Sequence, residues 1–97
     1  MRESEVENFF QWAVEHLGGK SYKFKSVNNR GVADRVVMLP DGTTWFVELK
    51  ALGKKLKPLQ EIFRLQCERY NQKYAILQSI PEVETWAAEI KGASIYE

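Results

Sequence analysis

The sequence is poor in the residues that build covalent or metal-held scaffolds. A single cysteine, Cys67, excludes an internal disulfide and fits a reducing compartment. With only one histidine beside it, a structural zinc site is excluded too. A Cys/His nucleophilic pair exists on paper only, because Cys67 falls inside a predicted helix, where the usual state is a buried thiol. No apolar run approaches the roughly 18 residues of a membrane span. The acidic start, Met1-Arg2-Glu3-Ser4-Glu5, has no apolar stretch behind it and is unlike a signal peptide. The expectation is a cytoplasmic protein without membrane contact. Repeats and low-complexity tracts are absent. A charge surplus is missing as well, with 14 basic and 13 acidic residues and a net charge of +1. Taken alone, that balance argues against a nucleic-acid binder.

The 97 residues, 44% of them hydrophobic, fit one domain spanning positions 1–97 with a single core. Val6, Phe9, Phe10, Ala13, Val14 and Leu17 predict an amphipathic helix over 3–17, closed by Gly18-Gly19. Residues 21–26 alternate like a half-buried strand, and Asn28-Asn29-Arg30-Gly31 is turn chemistry. Asp34 to Leu39 predicts a second strand, Pro40-Asp41-Gly42 a hairpin turn, and Thr43 to Lys50 a third strand. A basic loop leads to Pro58, which suits a first helical turn. Leu59, Ile62, Phe63, Gln66 and Tyr70 mark the expected inner face of that helix, and Asn71 its end. Tyr74 to Leu77 reads as a fourth strand. Ser79 caps a last helix with Pro81 in its first turn and Val83, Trp86, Ala87 and Ile90 as its apolar stripe. The order is α-β-β-β-α-β-α, an α/β fold with a mixed central sheet flanked by helices.

Strand alternation puts Thr44, Phe46, Glu48 and Lys50 on one face of the third strand. Both faces are largely apolar, so this strand is expected to be central. A carboxylate and an ammonium there need partners or a function, since burying charge is costly. Mutual pairing of Glu48 and Lys50 is one answer. Asp34 offers another, because the hairpin brings it across from the end that carries Glu48 and Lys50. Two carboxylates and a lysine are the minimum for metal-assisted phosphodiester hydrolysis. The carboxylates suit Mg²⁺, and the lysine can orient a water or offset transition-state charge. Glu3 and Glu7 lie at the edge of the first helix's apolar stripe. Either is a further carboxylate for the site or simply a solvated residue near a helix start.

The segments Arg30-Gly31-Val32-Ala33-Asp34-Arg35-Val36-Val37-Met38-Leu39, Thr44-Trp45-Phe46-Val47-Glu48-Leu49-Lys50-Ala51 and Leu56-Lys57-Pro58-Leu59-Gln60 resemble the VRR-NUC family of nucleases. That family is a branch of the PD-(D/E)xK superfamily, and the small stand-alone phage and bacterial members resemble Holliday-junction resolvases in architecture. The resemblance implies a restriction-endonuclease-like fold and a metal-dependent, structure-specific DNA endonuclease, used in DNA repair or by phages. Its substrate would be a four-way junction or related branched DNA, cut by a homodimer with Mg²⁺, for which Mn²⁺ can substitute. No small-molecule cofactor is implied. By the same resemblance Asp34 and Glu48 are metal ligands, Lys50 is the catalytic lysine, and the Leu49 carbonyl is a further ligand. Glu7 matches the helix glutamate, with Glu3 as fallback, and Gln60 contacts the lysine or the DNA backbone. The family usually has Pro where this chain has Ala33, which donates no ligand but leaves the backbone freer. The alternative is a non-cleaving DNA-binding assembly module.

Lys23, Lys25, Arg30, Arg35, Lys54, Lys55 and Lys57 are the candidate phosphate contacts. Trp12, on the polar side of the first helix, is a candidate interface anchor or a lone surface aromatic. The near-zero net charge conceals segregation. Residues 20–57 hold nine basic and three acidic side chains, whereas the rest of the chain holds five and ten. Two of those three acids, Asp34 and Glu48, are the expected metal ligands.

Overall fold

The computed structural model describes residues 3–24 and 31–96, with the side chains of 4–24 and 31–92. Its elements are α1 (Glu3–His16), β1 (Lys20–Lys23), β2 (Arg35–Met38), β3 (Thr44–Leu49), α2 (Pro58–Arg69), β4 (Lys73–Leu77) and α3 (Ile80–Tyr96). The order is the expected one. Lys25 and Ser26, predicted to extend the first strand, and the turn residues Asn28, Asn29 and Arg30 lie outside the described residues.

The strands form one mixed sheet in the order β1-β2-β3-β4. β1 pairs antiparallel with β2 and β2 with β3, while β3 and β4 pair in parallel through the α2 crossover. β3 is therefore interior, as its two apolar faces require. The β2–β3 turn is built by Asp41, whose carboxylate accepts from the Thr43 amide at 2.9 Å and its hydroxyl at 2.6 Å. Gly42 supplies the left-handed residue there, with φ of 88°.

One sheet face, through Val37, Val47 and Leu49, packs on Val6, Phe10 and Val14 of α1 and on Val83 and Trp86 of α3. The other face receives α2. Phe46 meets Phe63 edge-on with ring centroids 5.6 Å apart, and Phe63 also contacts Tyr74. The helix ends are closed by ordinary chemistry. Gly19 N–H reaches the Val14 carbonyl at 3.0 Å after α1, and Gln72 N–H reaches the Cys67 carbonyl at 2.8 Å after α2. Asn71 takes the left-handed conformation between them, with φ of 57°. The Ser79 hydroxyl accepts from the Glu82 amide at the start of α3.

The face of α2 departs from the expectation. Leu59, Ile62, Leu65 and Tyr70 are all exposed, while Phe63 and Cys67 turn inward. The helix carries apolar side chains over more than half its circumference, so periodicity alone admits two rotations. The aromatic pocket of Phe46 and Tyr74 selects the one that seats Phe63. Accordingly, Ile62→Ser is expected to change unfolding free energy by no more than about 0.5 kcal/mol. Phe63→Ala is expected to lower it by about 3 kcal/mol. Urea denaturation of both variants tests the assignment, and equal losses would contradict it.

Candidate active site

The site is set by the register of two strands. Val36 stands opposite Phe46 and Arg35 opposite Val47. One step further along this antiparallel ladder, Asp34 stands opposite Glu48. Alternation places both on the α2 side of the sheet, with Phe46. Asp34 lies just before β2, and its Oδ2 accepts from the Leu49 amide at 3.1 Å. Asp34 is exposed, whereas Glu48 is only 2% exposed. A carboxylate that deep needs a compensating donor. Gln60 of α2 brings its side-chain amide to Glu48 Oε2 at 3.5 Å. Lys50 follows β3 directly and is half-buried. Its backbone N–H bonds the Leu77 carbonyl at 3.1 Å, extending the parallel ladder past the strand end.

Gln60 has a second task. Its Oε1 accepts from the Lys57 amide at 2.8 Å and so caps the first turn of α2. The residue beside Glu48 is thus fixed at both ends of its amide. Tyr74 is half-buried on the same side, where burial pushes its hydroxyl above the ordinary range and the Glu48 charge adds to the effect. It therefore remains a neutral donor under all ordinary assay conditions.

Gly31 joins the aspartate loop to α2. A Cβ at this position would lie 2.2 Å from the Leu59 carbonyl oxygen and 3.0 Å from Leu59 Cβ. Only glycine allows the two backbones to meet so closely. The contact sets the loop that leads to Asp34 against the helical turn that carries Gln60. In the sequence Gly31 is a turn residue within the first motif segment and Tyr74 a strand residue, and neither was assigned a part in the site. The signal that could have found Gly31 is its place three residues before the aspartate.

Glu7 falls on the other side. Arg35 alternates away from Asp34 and is 3% exposed among the residues facing α1. Its Nη2 donates to Glu7 Oε1 at 2.5 Å, and Lys23 Nζ lies 4.0 Å from the same oxygen. Arg35 was expected among the phosphate contacts. Its burial and its bond to Glu7 correct that expectation, because a guanidinium enclosed under α1 is not presented to DNA. Lys23, Lys54, Lys55 and Lys57 are exposed. Gln78 braces the basic loop by donating to the Lys54 carbonyl at 2.7 Å. Lys25, Arg30 and the Glu3 side chain lie outside the described residues. Trp12 is exposed and stacks on His16 at 5.0 Å between ring centroids.

Among the described residues, no three His, Cys, Asp or Glu side chains stand close enough together to hold a metal ion. The donor set of Asp34, Glu48 and the Leu49 carbonyl still suits a hard divalent cation. Mg²⁺ commonly takes one or two carboxylates and completes its shell with water and substrate phosphate oxygens.

Gly31→Ala tests the loop–helix contact. The clash falls on backbone, so the neighbours must shift, and the substitution is expected to destabilise the fold by about 1–3 kcal/mol in thermal or urea unfolding. An unchanged stability would show that the loop and α2 are not held in this contact.

No family model matches the chain. Over 60 residues, or 62% of its length, it is 47% identical to "Putative nuclease p44" of Acyrthosiphon pisum secondary endosymbiont phage 1. The matched part spans 64% of that relative. A solved structure described as "VRR_NUC domain" superposes with a TM-score of 0.81, covering 86% of this chain and 90% of that one at 27% identity. The motif resemblance is thus matched in three dimensions, and the chain is VRR-NUC-like in fold over most of its length.

Proposed function

We propose that residues 1–97 form one nuclease domain, a metal-dependent DNA endonuclease that hydrolyses phosphodiester bonds in branched DNA. The observation that carries this reading is the opposition of Asp34, just before β2, and Glu48 of β3, two residues before Lys50. The phage relative's name and the solved VRR_NUC fold support the same class of chemistry. We take four-way junctions as the preferred substrate and a homodimer as the acting form. The cytoplasm is its proposed location; among the described residues no helix is long and apolar enough to cross a membrane.

Asp34, Glu48 and the Leu49 carbonyl would hold Mg²⁺ or Mn²⁺, while Glu7 is engaged by Arg35 on the α1 side of the sheet. The cation, when bound, supplies charge neutralisation at the scissile phosphate and a more acidic water. The Leu49 amide leaves one Asp34 oxygen, Oδ1, for that task while it fixes the other. Gln60 steadies Glu48 and keeps its carboxylate from turning away. The Lys50 ammonium orients the attacking water and offsets charge on the pentavalent phosphorus. Lys23, Lys54, Lys55 and Lys57 meet phosphates as point charges, so recognition follows backbone and branch shape rather than base sequence.

The test is a panel of four-way, flapped, nicked, single-stranded and linear duplex DNA incubated with Mg²⁺. Junction cleavage is expected, and Asp34→Ala and Lys50→Ala are each expected to lower its rate by about two to four orders of magnitude. Parental rates in both variants would overturn the site. Junction binding without cleavage by the parent would favour the non-cleaving assembly module. In parallel, saturating Mg²⁺ should raise the melting temperature of the parent by mass action and leave that of Asp34→Ala unchanged.

A further inference from the structure

We propose that Gln78 is a positioning residue for nucleic-acid binding, an inference that rests on the nuclease reading. It holds the loop between β3 and α2 so that Lys54, Lys55 and Lys57 stand together as one phosphate-binding surface. Between Glu48 and Glu61 the chain carries four lysines and no acid. Three of them lie on this loop and are exposed. Among the described residues none of the three pairs with a carboxylate. The loop starts where Lys50 N–H meets the Leu77 carbonyl at 3.1 Å. The chain then turns, with Lys54 N–H on the Ala51 carbonyl at 3.0 Å and Gly53 in the left-handed region at φ of 86°. Gln78 follows Leu77, and its half-buried side chain spans this turn. Its Nε2 donates to the Lys54 carbonyl at 2.7 Å and, more weakly, to the Ala51 carbonyl at 3.5 Å. Gln78 is itself fixed, since its backbone N–H donates to Glu82 Oε1 at 2.9 Å at the start of α3. The far end of the loop is held by Gln60, whose Oε1 accepts from the Lys57 amide while its Nε2 meets Glu48.

Stability alone does not call for this brace. An exposed carbonyl takes a hydrogen bond from water at little cost, and fixing a glutamine side chain on it loses rotamer entropy. What the amide adds is a set path for the chain. Three ammonium groups within four residues repel one another, and a loop free to move would spread them. Gln60 and Gln78 both act on loop backbone and leave the three ammonium groups to solvent. Lysine is a point charge on a flexible stem, so the backbone fixes where the charge is concentrated. A loop already held in place loses less freedom when a phosphate backbone settles on it. Gln60 ties one end of this surface to a carboxylate of the site, and Gln78 ties the other to β4 and α3.

Binding of a fluorescently labelled four-way junction to the full chain in EDTA, at several salt concentrations, tests the proposal without cleavage. Lys54→Ala/Lys55→Ala is expected to weaken binding and to make its salt dependence shallower, by about one to two in the slope of log affinity against log salt. Gln78→Met keeps the length of the side chain and removes its donor. It is expected to weaken binding by about 3- to 10-fold. With Mg²⁺ the effect should fall on KM for the junction rather than on kcat. In the Lys54→Ala/Lys55→Ala background the same substitution should change binding by less than about 2-fold, because changes that act through one another do not add. Parental binding by Gln78→Met overturns the positioning role. A loss of equal size in both backgrounds overturns it too, since Gln78 would then act apart from the lysines. A lower melting temperature with unchanged binding marks a brace for stability alone and counts against the proposal equally. If Gln78→Met does not fold, Gln78→Glu takes its place, since it keeps the shape and presents only acceptors to the two carbonyls; parental binding by that variant overturns the proposal. A parent that cuts junctions in Mg²⁺ and loses no affinity with Gln78 leaves the nuclease reading standing, whereas a parent that neither binds nor cuts overturns both.

Discussion

The antiparallel register of β2 on β3 is the constraint on which the rest of the site depends. A shift of one residue would send Asp34 to the α1 face, away from Glu48. The register is held at both ends. At the turn end, Asp41 and Thr43 close the hairpin through side-chain bonds. At the far end, the Leu49 amide binds Asp34 Oδ2 where the regular ladder has already stopped. In the core, Val37 and Val47 bury completely on the same face, so any slip would expose them. Hydrophobic burial therefore selects the pairing that opposes the two carboxylates.

Glu48 is a buried charge in that pairing. α2 brings a donor to it. Pro58 opens the helix, Gln60 caps it, and the same amide meets Glu48. The helix can approach because Gly31 offers no side chain to the Leu59 backbone. Phe63 then fixes its rotation against Phe46 and Tyr74. A capping bond and a glycine contact act on the first turn of α2, and an aromatic cluster on the next. Each is ordinary by itself, and together they bring one amide to one carboxylate.

Much of this was legible in the residues. Strand alternation and the Pro40-Asp41-Gly42 turn give the four strands and the antiparallel facing of Asp34 with Glu48. Gly18, Asn71 and Ser79 mark helix boundaries through chemistry that acts within a few residues. What failed was non-local. Leu59, Ile62 and Tyr70 have the spacing of an inner face but lie outside, because the partner surface decides the rotation of a helix that is apolar on several sides. Arg35 has the charge of a phosphate contact, but its strand parity buries it under α1. No count of charges contains that information. It appears only when Glu7 and Gln11, 28 and 24 positions earlier, come round to meet the guanidinium.

The charge segregation along the chain takes on a different meaning in the fold. Of the basic middle stretch, Arg35 is enclosed and neutralised by Glu7, an acid from the flanking helix. Lys23 leans toward the same carboxylate. The two charge blocks are therefore not separate poles, since the first helix reaches into the basic stretch and ties one of its cations down. The exposed surplus that remains, Lys54, Lys55 and Lys57, sits on the loop that leads from Lys50 to the first turn of α2. Gln78, at the end of β4, holds that loop by its backbone carbonyls and leaves its ammonium groups to solvent. A braced loop of lysines thus joins the strand that carries Glu48 to the helix whose Gln60 meets it. With a net charge near zero, long-range attraction to a polyanion would be weak, and under the proposed function affinity would come from this local concentration of charge.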